Sequence, residues 1–214
     1  MNRKILLVGG GGHCKSVLDS LLILNEYDEI GIIDKDEKAG NTIMGIPVLG
    51  SDDDLPALYD AGYQYAFVTV GSAGKPSLRI KLFELVCKLG FTIPNIIDPS
   101  AIVSKYSVLE KGIFIGRQSI VNAGAVVGKG AIINSGAIIE HDCRIGAFAH
   151  IAPGVVLGGG VTVGDNTHIG LNAAVKQNVC IGSDTIVGMG SVVTKDIKSG
   201  VKAYGNPCRE MNGL

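Results

Sequence analysis

From Val103 to Val193 every sixth residue is Val, Ile or Leu: 103, 109, 115, 121, 127, 133, 139, 145, 151, 157, 163, 169, 175, 181, 187 and 193. Two places before each lies a second register of mostly small residues, among them Ala101, Ser107, Ser119, Ala125, Ala131, Ala137, Cys143, Ala149, Thr167, Ala173, Thr185 and Ser191. Helices repeat at 3.6 residues and strands at 2, so a strict period of six fits neither. It predicts a parallel β-helix built from hexapeptides, with the aliphatic register pointing inward. The position after each aliphatic is often Gly or Asn (Gly116, Asn122, Gly128, Asn134, Gly146, Gly158), which predicts that the corners take their positive φ angles there. The unbroken register leaves no inserted loop between Val103 and Val193, so any site must be built on the faces and edges of the prism.

Residues 1–98 follow a different grammar. Strands are expected at Lys4–Val8, Glu29–Ile33, Tyr65–Val70 and Thr92–Ile97, with helices at His13–Leu24 and Leu78–Leu89. This order predicts a small Rossmann-like α/β domain over 1–98, followed by the β-helix and its tail over 99–214. Gly9-Gly10-Gly11-Gly12 falls between a strand and a helix, where backbone N–H groups and the helix N-terminus favour a phosphate. Asp34 ends the second strand, where a ribose-binding acid sits in dinucleotide folds. The half is short for a full dinucleotide domain, so a hydride-transfer enzyme is not expected.

Bulk properties narrow the classes. A formal net charge of -1 gives no broad basic surface for nucleic acid. No apolar run approaches the ~20 residues of a membrane span, and the N-terminus runs directly into a strand with no signal-peptide pattern. The five cysteines are scattered and never spaced C-x-x-C, which points to free thiols in a reducing, cytoplasmic setting.

Three histidines, His141, His150 and His168, occupy outward positions of their hexads. His150 and His168 are one coil apart, but a catalytic zinc needs three protein ligands and His141 sits half a coil from either. No metal is expected. His141 is followed by Asp142, a pairing suited to general base catalysis by an imidazole near neutral pKa, with a carboxylate to orient the ring. Glu140 is a rival partner, but strand alternation points it to the other side.

The hexad pattern resembles that of the left-handed β-helix acyltransferases, in which three hexads make one triangular coil. The run Val8-Gly9-Gly10-Gly11-Gly12-His13-Cys14-Lys15-Ser16-Val17-Leu18-Asp19, followed by Ile32-Ile33-Asp34-Lys35-Asp36 and then the hexads, is similar to one subfamily over essentially the whole chain. That subfamily is the sialic acid O-acetyltransferase-like family, which includes the UDP-4-amino-sugar N-acetyltransferases of bacterial surface glycan synthesis. The resemblance implies a homotrimer with active sites between subunits, and acetyl-CoA as co-substrate. The expected acceptor is a nucleotide-activated 4-amino-deoxy sugar on a UDP carrier. It implies Gly11, Gly12, His13, Asp34, Asp36, Gly71 and Ser72 at the nucleotide sugar, with Asn134 near the acceptor. His141 would be the base and Asp142 its partner. His150, Gly158 and Gly159 would lie by the thioester and pantetheine arm, with glycine N–H groups offered to the thioester oxygen. The ending Gly205-Asn206-Pro207-Cys208-Arg209 is similar to tails that pack near the adenine and 3′-phosphate of CoA, where Lys198, Lys202, Pro207 and Arg209 would lie. Sugar O-acetylation, or a sugar-nucleotide-binding trimer without chemistry, are the alternatives the residues leave open.

Overall fold

The computed structural model describes residues 3–35, 40–72 and 74–211. Two units divide the chain: Met1–Gly71 with Ser77–Ile96, and Ser72–Pro76 with Ile97–Leu214. The short Ser72–Pro76 segment belongs with the second unit.

In the first unit, β1 (Lys4–Val8), β2 (Glu29–Ile33), β3 (Thr42–Ile43), β4 (Ile46–Gly50) and β5 (Tyr63–Val68) form one sheet in the order β3-β4-β2-β1-β5. All but β3 run parallel. Ile5, Leu6, Leu7 and Val8 of the interior strand β1 are fully or almost fully buried, as expected of a strand covered on both faces. Helix α1 (Gly12–Leu24) buries Cys14, Val17, Leu18 and Leu21, one stripe at helical spacing. It ends at Asn25, whose left-handed φ of 50° lets its N–H close on Leu21 O at 3.1 Å. Helices α2 (Leu55–Asp60) and α3 (Ser77–Lys88) complete the unit.

Two expectations need correction. Thr92–Ile97 is not a strand: Thr92 makes one parallel bridge to Tyr65, and pairing resumes only at Ile96–Ile97. Pro94 has no N–H to give a ladder and interrupts it. The hairpin β3–β4, which turns at Met44-Gly45, was not expected. Those two residues take φ of 51° and 83° and make the tight turn.

The second unit is a three-faced parallel β-helix. Two-residue strands pair with the strand eighteen residues on, as Ile120 with Ile138 and Ile138 with Val156. The first face carries strands starting at 102, 120, 138, 156, 174 and 192; the second at 108, 126, 144, 162 and 180. The third carries strands starting at 114, 132, 150, 168 and 186, and finishes in a hairpin. Both inward registers meet in one continuous core. Polar members of the small register donate to turn carbonyls: Ser119 Oγ to Gly116 O at 2.6 Å, Thr167 Oγ1 to Gly182 O at 2.7 Å. Buried hydroxyls are thus satisfied inside an apolar prism.

The corners are not built as expected. Positive φ falls three residues after each aliphatic from Leu109 to Val187, at Gly112, Gln118, Gly124, Gly130, Gly136, Asp142, Phe148, Gly154, Gly160, Asn166, Asn172, Asn178, Asp184 and Gly190. The glycines directly after the aliphatics have another cause. A Cβ on Gly128, Gly146, Gly158, Gly164 or Gly170 would come within 2.7 Å of a backbone nitrogen in the next coil. They permit coil-to-coil approach, not a turn.

Candidate functional site

His141 lies at the corner between the first and second faces, two residues past the buried Ile139. The residue after it must adopt the left-handed conformation, and Asp142 does so at φ 60°; Asp, Asn and Gly accept this most readily. From that backbone its carboxylate reaches His141 Nδ1 at 2.8 Å, with both side chains well exposed. The hydrogen bond to Asp142 is the main cause of a His141 pKa raised above the ordinary value, aided by the negative charges of Asp142 and Glu140. Glu140 itself accepts from Asn122 Nδ2 at 3.1 Å, pointing away as alternation requires.

The space around the pair comes from glycines. Gly124, one coil before, leaves room for the Asp142 carboxylate. One coil after, a Cβ on Gly159 would lie 2.5 Å from His141 Nε2. The triplet Gly158-Gly159-Gly160 therefore has three separate causes: approach to Gln177 N, room for the imidazole, and a φ of 69°. Gly159, assigned from sequence to clear a path for the pantetheine arm, first clears one for His141. Backbone accounting isolates its N–H as well. Gly158 N–H donates to Val175 O and Gly160 N–H to His141 O, both at 2.9 Å. At the next corner round, the N–H groups equivalent to Gly159's are capped by side chains: Ala147 N by Asp165 Oδ1 at 2.7 Å, Asp165 N by Ser183 Oγ at 3.1 Å. Among the described residues no such cap covers Gly159.

Asn134 and His150 form a second cluster, on the third face and its following corner. Ser135 N–H donates to Asn134 Oδ1 at 2.9 Å, which turns Nδ2 toward His150 Nε2 at 3.2 Å. On the other side of the ring, Nδ1 lies 2.6 Å from Ser72 O. A carbonyl only accepts, so the network assigns the proton to Nδ1 and leaves Nε2 accepting from Asn134. His168, nearly buried, meets the ring edge-on with centroids 4.9 Å apart. Ser72 is thus engaged with the prism. Within one chain, His141 and the Asn134–His150 pair stand at different corners. Among the described residues no three His, Cys, Asp or Glu side chains gather as a metal site.

The tail is a hairpin: Lys202–Gly205 adds in parallel to Ile186–Val187, and Cys208–Met211 returns antiparallel through a cis Asn206–Pro207 bond. Lys202 and Arg209 are exposed on it. Arg209 Nη1 donates to Cys208 O at 2.9 Å, and Lys198 faces Glu210 at 3.8 Å.

In the first unit, a crevice of about 430 Å³ opens at the carboxyl ends of the strands, lined by Gly9, Ile33, Asp34, Lys35, Ser51, Asp52, Asp53, Val70, Leu78 and Leu82. Asp34 lies directly over Gly10, where a Cβ would meet its Oδ2 at 2.5 Å. Gly9 takes φ 111° beneath Val70. Gly11 and Gly12 are exposed at the start of α1, and no side chain caps that helix. His13 packs on Gly71, where a Cβ would come within 3.2 Å of its own. Burial, with the positive charge of Arg79, brings the His13 pKa down to about 4, so it is neutral at pH 7. Burial pushes the Cys14 thiol up to about 11, which leaves it unreactive. Asp36 lies outside the described residues. Ser51, Asp52 and Asp53 escaped sequence reading because the strand they follow, β4, was not recognised.

A hexapeptide prism with a solvent-facing imidazole–carboxylate pair, joined to a glycine-loop α/β unit, has the form of a nucleotide-using acyltransferase. Residues 4–86 match the PglD N-terminal domain model; 124–159 and 136–171 match the six-repeat bacterial transferase hexapeptide model, and 160–195 the hexapeptide repeat of succinyl-transferase. The H141N variant of perosamine N-acetyltransferase from Caulobacter crescentus, in complex with CoA and GDP-perosamine, is 38% identical with a TM-score of 0.92, over 98% of this chain and 97% of that one. The acetyltransferase domain of PglB from Neisseria gonorrhoeae, in complex with acetyl coenzyme A, is 33% identical with a TM-score of 0.90, over 99% and 100%. WeeI from Acinetobacter baumannii is 27% identical with a TM-score of 0.88, over 98% and 100%. The chain belongs to the sugar N-acetyltransferases of the left-handed β-helix, hexapeptide-repeat family. The nucleotide sugar in the Caulobacter complex carries guanosine, not the uridine expected from the sequence resemblance.

Proposed function

We propose that this enzyme moves the acetyl group of acetyl-CoA to the amino group of a nucleotide-activated 4-amino-deoxy sugar destined for a bacterial surface glycan. The reading rests on the His141–Asp142 pair, whose Nδ1 is occupied at 2.8 Å while Nε2 faces outward over Gly159. Its setting, a chain matched over nearly its whole length by a perosamine N-acetyltransferase and by an acetyltransferase domain that binds acetyl coenzyme A, supports the reaction class.

Neutral amine nitrogen attacks the thioester carbonyl, forming the C–N bond. His141 Nε2 takes the proton the nitrogen sheds, and Asp142 stabilises the imidazolium. Negative charge gathers on the carbonyl oxygen, to which the Gly159 N–H donates on this reading. The C–S bond then breaks, and His141 returns the proton to the departing thiolate. No acetyl-enzyme is formed. Gly158 leaves the pantetheine arm close to the backbone. Lys202, Pro207 and Arg209 on the hairpin receive the adenine and 3′-phosphate end. In the α/β unit, the glycine loop with His13 takes the diphosphate and Asp34 the ribose.

A trimer completes the reading. The outward column of the first face, Ile102, Ile120, Ile138, Val156, Ala174 and Val192, is apolar throughout, with Ile102 65% and Val156 40% exposed. Such a stripe suits burial against other copies of the chain. Assembly would set His141 of one copy against the Asn134–His150 pair of its neighbour.

The test is thiol release from acetyl-CoA with a panel of nucleotide-linked 4-amino sugars and their hydroxyl counterparts. Turnover confined to the amino sugars, with an N-linked acetyl in the product, is expected. Turnover of hydroxyl sugars alone would replace this reading with O-acetylation, and tight nucleotide binding with no turnover would replace it with a binding protein.

A further inference from the structure

The crevice in the α/β unit is asymmetric in a way that speaks to the base. Successive strands lay out a nucleotide in order. β1 ends in the glycine loop, its neighbour β2 ends in Asp34, and β4, next again and parallel to β2, ends in Gly50-Ser51-Asp52-Asp53. Parallel strands stand ~4.8 Å apart, so a ligand with its diphosphate on the loop and its ribose on Asp34 places its base over the turn after β4. The crevice as a whole also carries apolar lining (Ile33, Val70, Leu78, Leu82), which suits the faces of a ring.

The rim of that part of the crevice carries acceptors. Asp54 is used within the turn: its Oδ2 accepts from Ser51 N–H at 2.8 Å and fixes the backbone. Asp52 and Asp53 line the crevice: the Asp52 carbonyl accepts from Leu55 N–H in the turn, and the charge of Lys81 acts on the Asp52 carboxylate, but among the described residues neither carboxylate takes a hydrogen bond. Lys35 follows the neighbouring strand β2. Guanine shows one acceptor, O6, beside two adjacent donors, N1–H and the 2-amino group. Uracil shows a single N–H between two carbonyl oxygens, which a pair of carboxylates would repel.

We infer that the turn Ser51–Asp53 reads the nucleotide base, with Asp52 and Asp53 accepting from guanine N1–H and its 2-amino group and so selecting a guanosine diphosphate carrier. This rests on the α/β crevice being the nucleotide site, as proposed above.

The experiment is calorimetric titration of the full-length protein with GDP, IDP and UDP, for the native chain and for Asp52→Asn, Asp53→Asn and the double variant. Inosine lacks only the 2-amino donor, and a charge-assisted hydrogen bond is worth about tenfold or more in affinity. The native protein should prefer GDP to IDP by about that factor and GDP to UDP by more. The GDP–IDP gap should close in the double variant, while UDP binding holds or strengthens. UDP binding as tight as GDP in the native chain, or an unchanged GDP–IDP gap in the double variant, overturns the inference and leaves the nucleotide site standing. Failure of all three nucleotides to bind overturns both. Asp34→Ala is the contrasting control: it should weaken all three alike.

Discussion

At position 159 an alanine methyl would sit 2.5 Å from His141 Nε2, yet the backbone there is outside the left-handed region and the residue is on the surface. Gly159→Ala should therefore leave the fold intact and displace the imidazole. A misplacement of about 1 Å costs on the order of 10²-fold in rate, so kcat should fall that far with little change in Tm; near-normal kcat would separate the glycine from catalysis. His141→Ala should lose about 10²–10⁴-fold in kcat while nucleotide binding, measured directly, is retained. The carboxylate makes a sharper prediction. Because Asp142 raises the His141 pKa, and the base is active only when neutral, the rate falls as pH drops through that value. Asp142→Asn keeps a residue suited to φ 60° and removes the charge. Its kcat/KM profile should show a lower plateau and an acidic limb moved to lower pH. A limb that stays in place would exclude Asp142 as the partner that sets the pKa. The pair was legible in sequence as two adjacent letters. The part played by Gly159 was not, because a side chain's need for space one coil away leaves no local signal.

Elements show the same division between what a period can and cannot reveal. The inward registers were readable because burial repeats, and every aliphatic from Val121 onward is indeed enclosed. The corner chemistry was misassigned because glycine answers two different demands. At Gly164 the demand is approach, with Ser183 N within 2.4 Å of a Cβ; at Gly160 it is conformation. Substitution distinguishes them. Gly164→Ala should cost about 1–3 kcal/mol through overpacking against backbone. Gln118→Gly, at φ 54°, should stabilise by up to about 1 kcal/mol, since a long side chain is strained there. Denaturant midpoints would report both signs, and equal destabilisation would contradict the separation. In the α/β unit the missed hairpin had a cost for function: overlooking β4 hid the turn that follows it, and with it Ser51, Asp52 and Asp53 of the crevice lining.

For the whole molecule, acid and assembly are the informative variables. His13 binds a proton near pH 4 when folded and near 6.5 when unfolded, so the unfolded chain gains protons first as pH drops. The stability this group contributes is constant above about 6.5 and declines between 6.5 and 4. His13→Gln should flatten that window in a comparison of urea midpoints, and an unchanged slope would place the ring in a solvated setting. Assembly has its own signature. If each site takes His141 from one copy and Asn134 from the next, mixing His141→Ala with Asn134→Ala chains after co-refolding should restore activity to about a quarter of sites by random pairing. No recovery would mean that each subunit works alone.

The register of the prism also limits how such a chain can change length. Every residue rests on one eighteen places away, so insertion or loss of a full turn leaves all later side chains facing as before. Loss of a single hexad between His141 and Gly159 would rotate the remaining thread by a third of a revolution and slide a different corner beneath the imidazole. The enzyme can be lengthened or trimmed like a screw, in whole turns, while its chemistry tolerates no fraction of one.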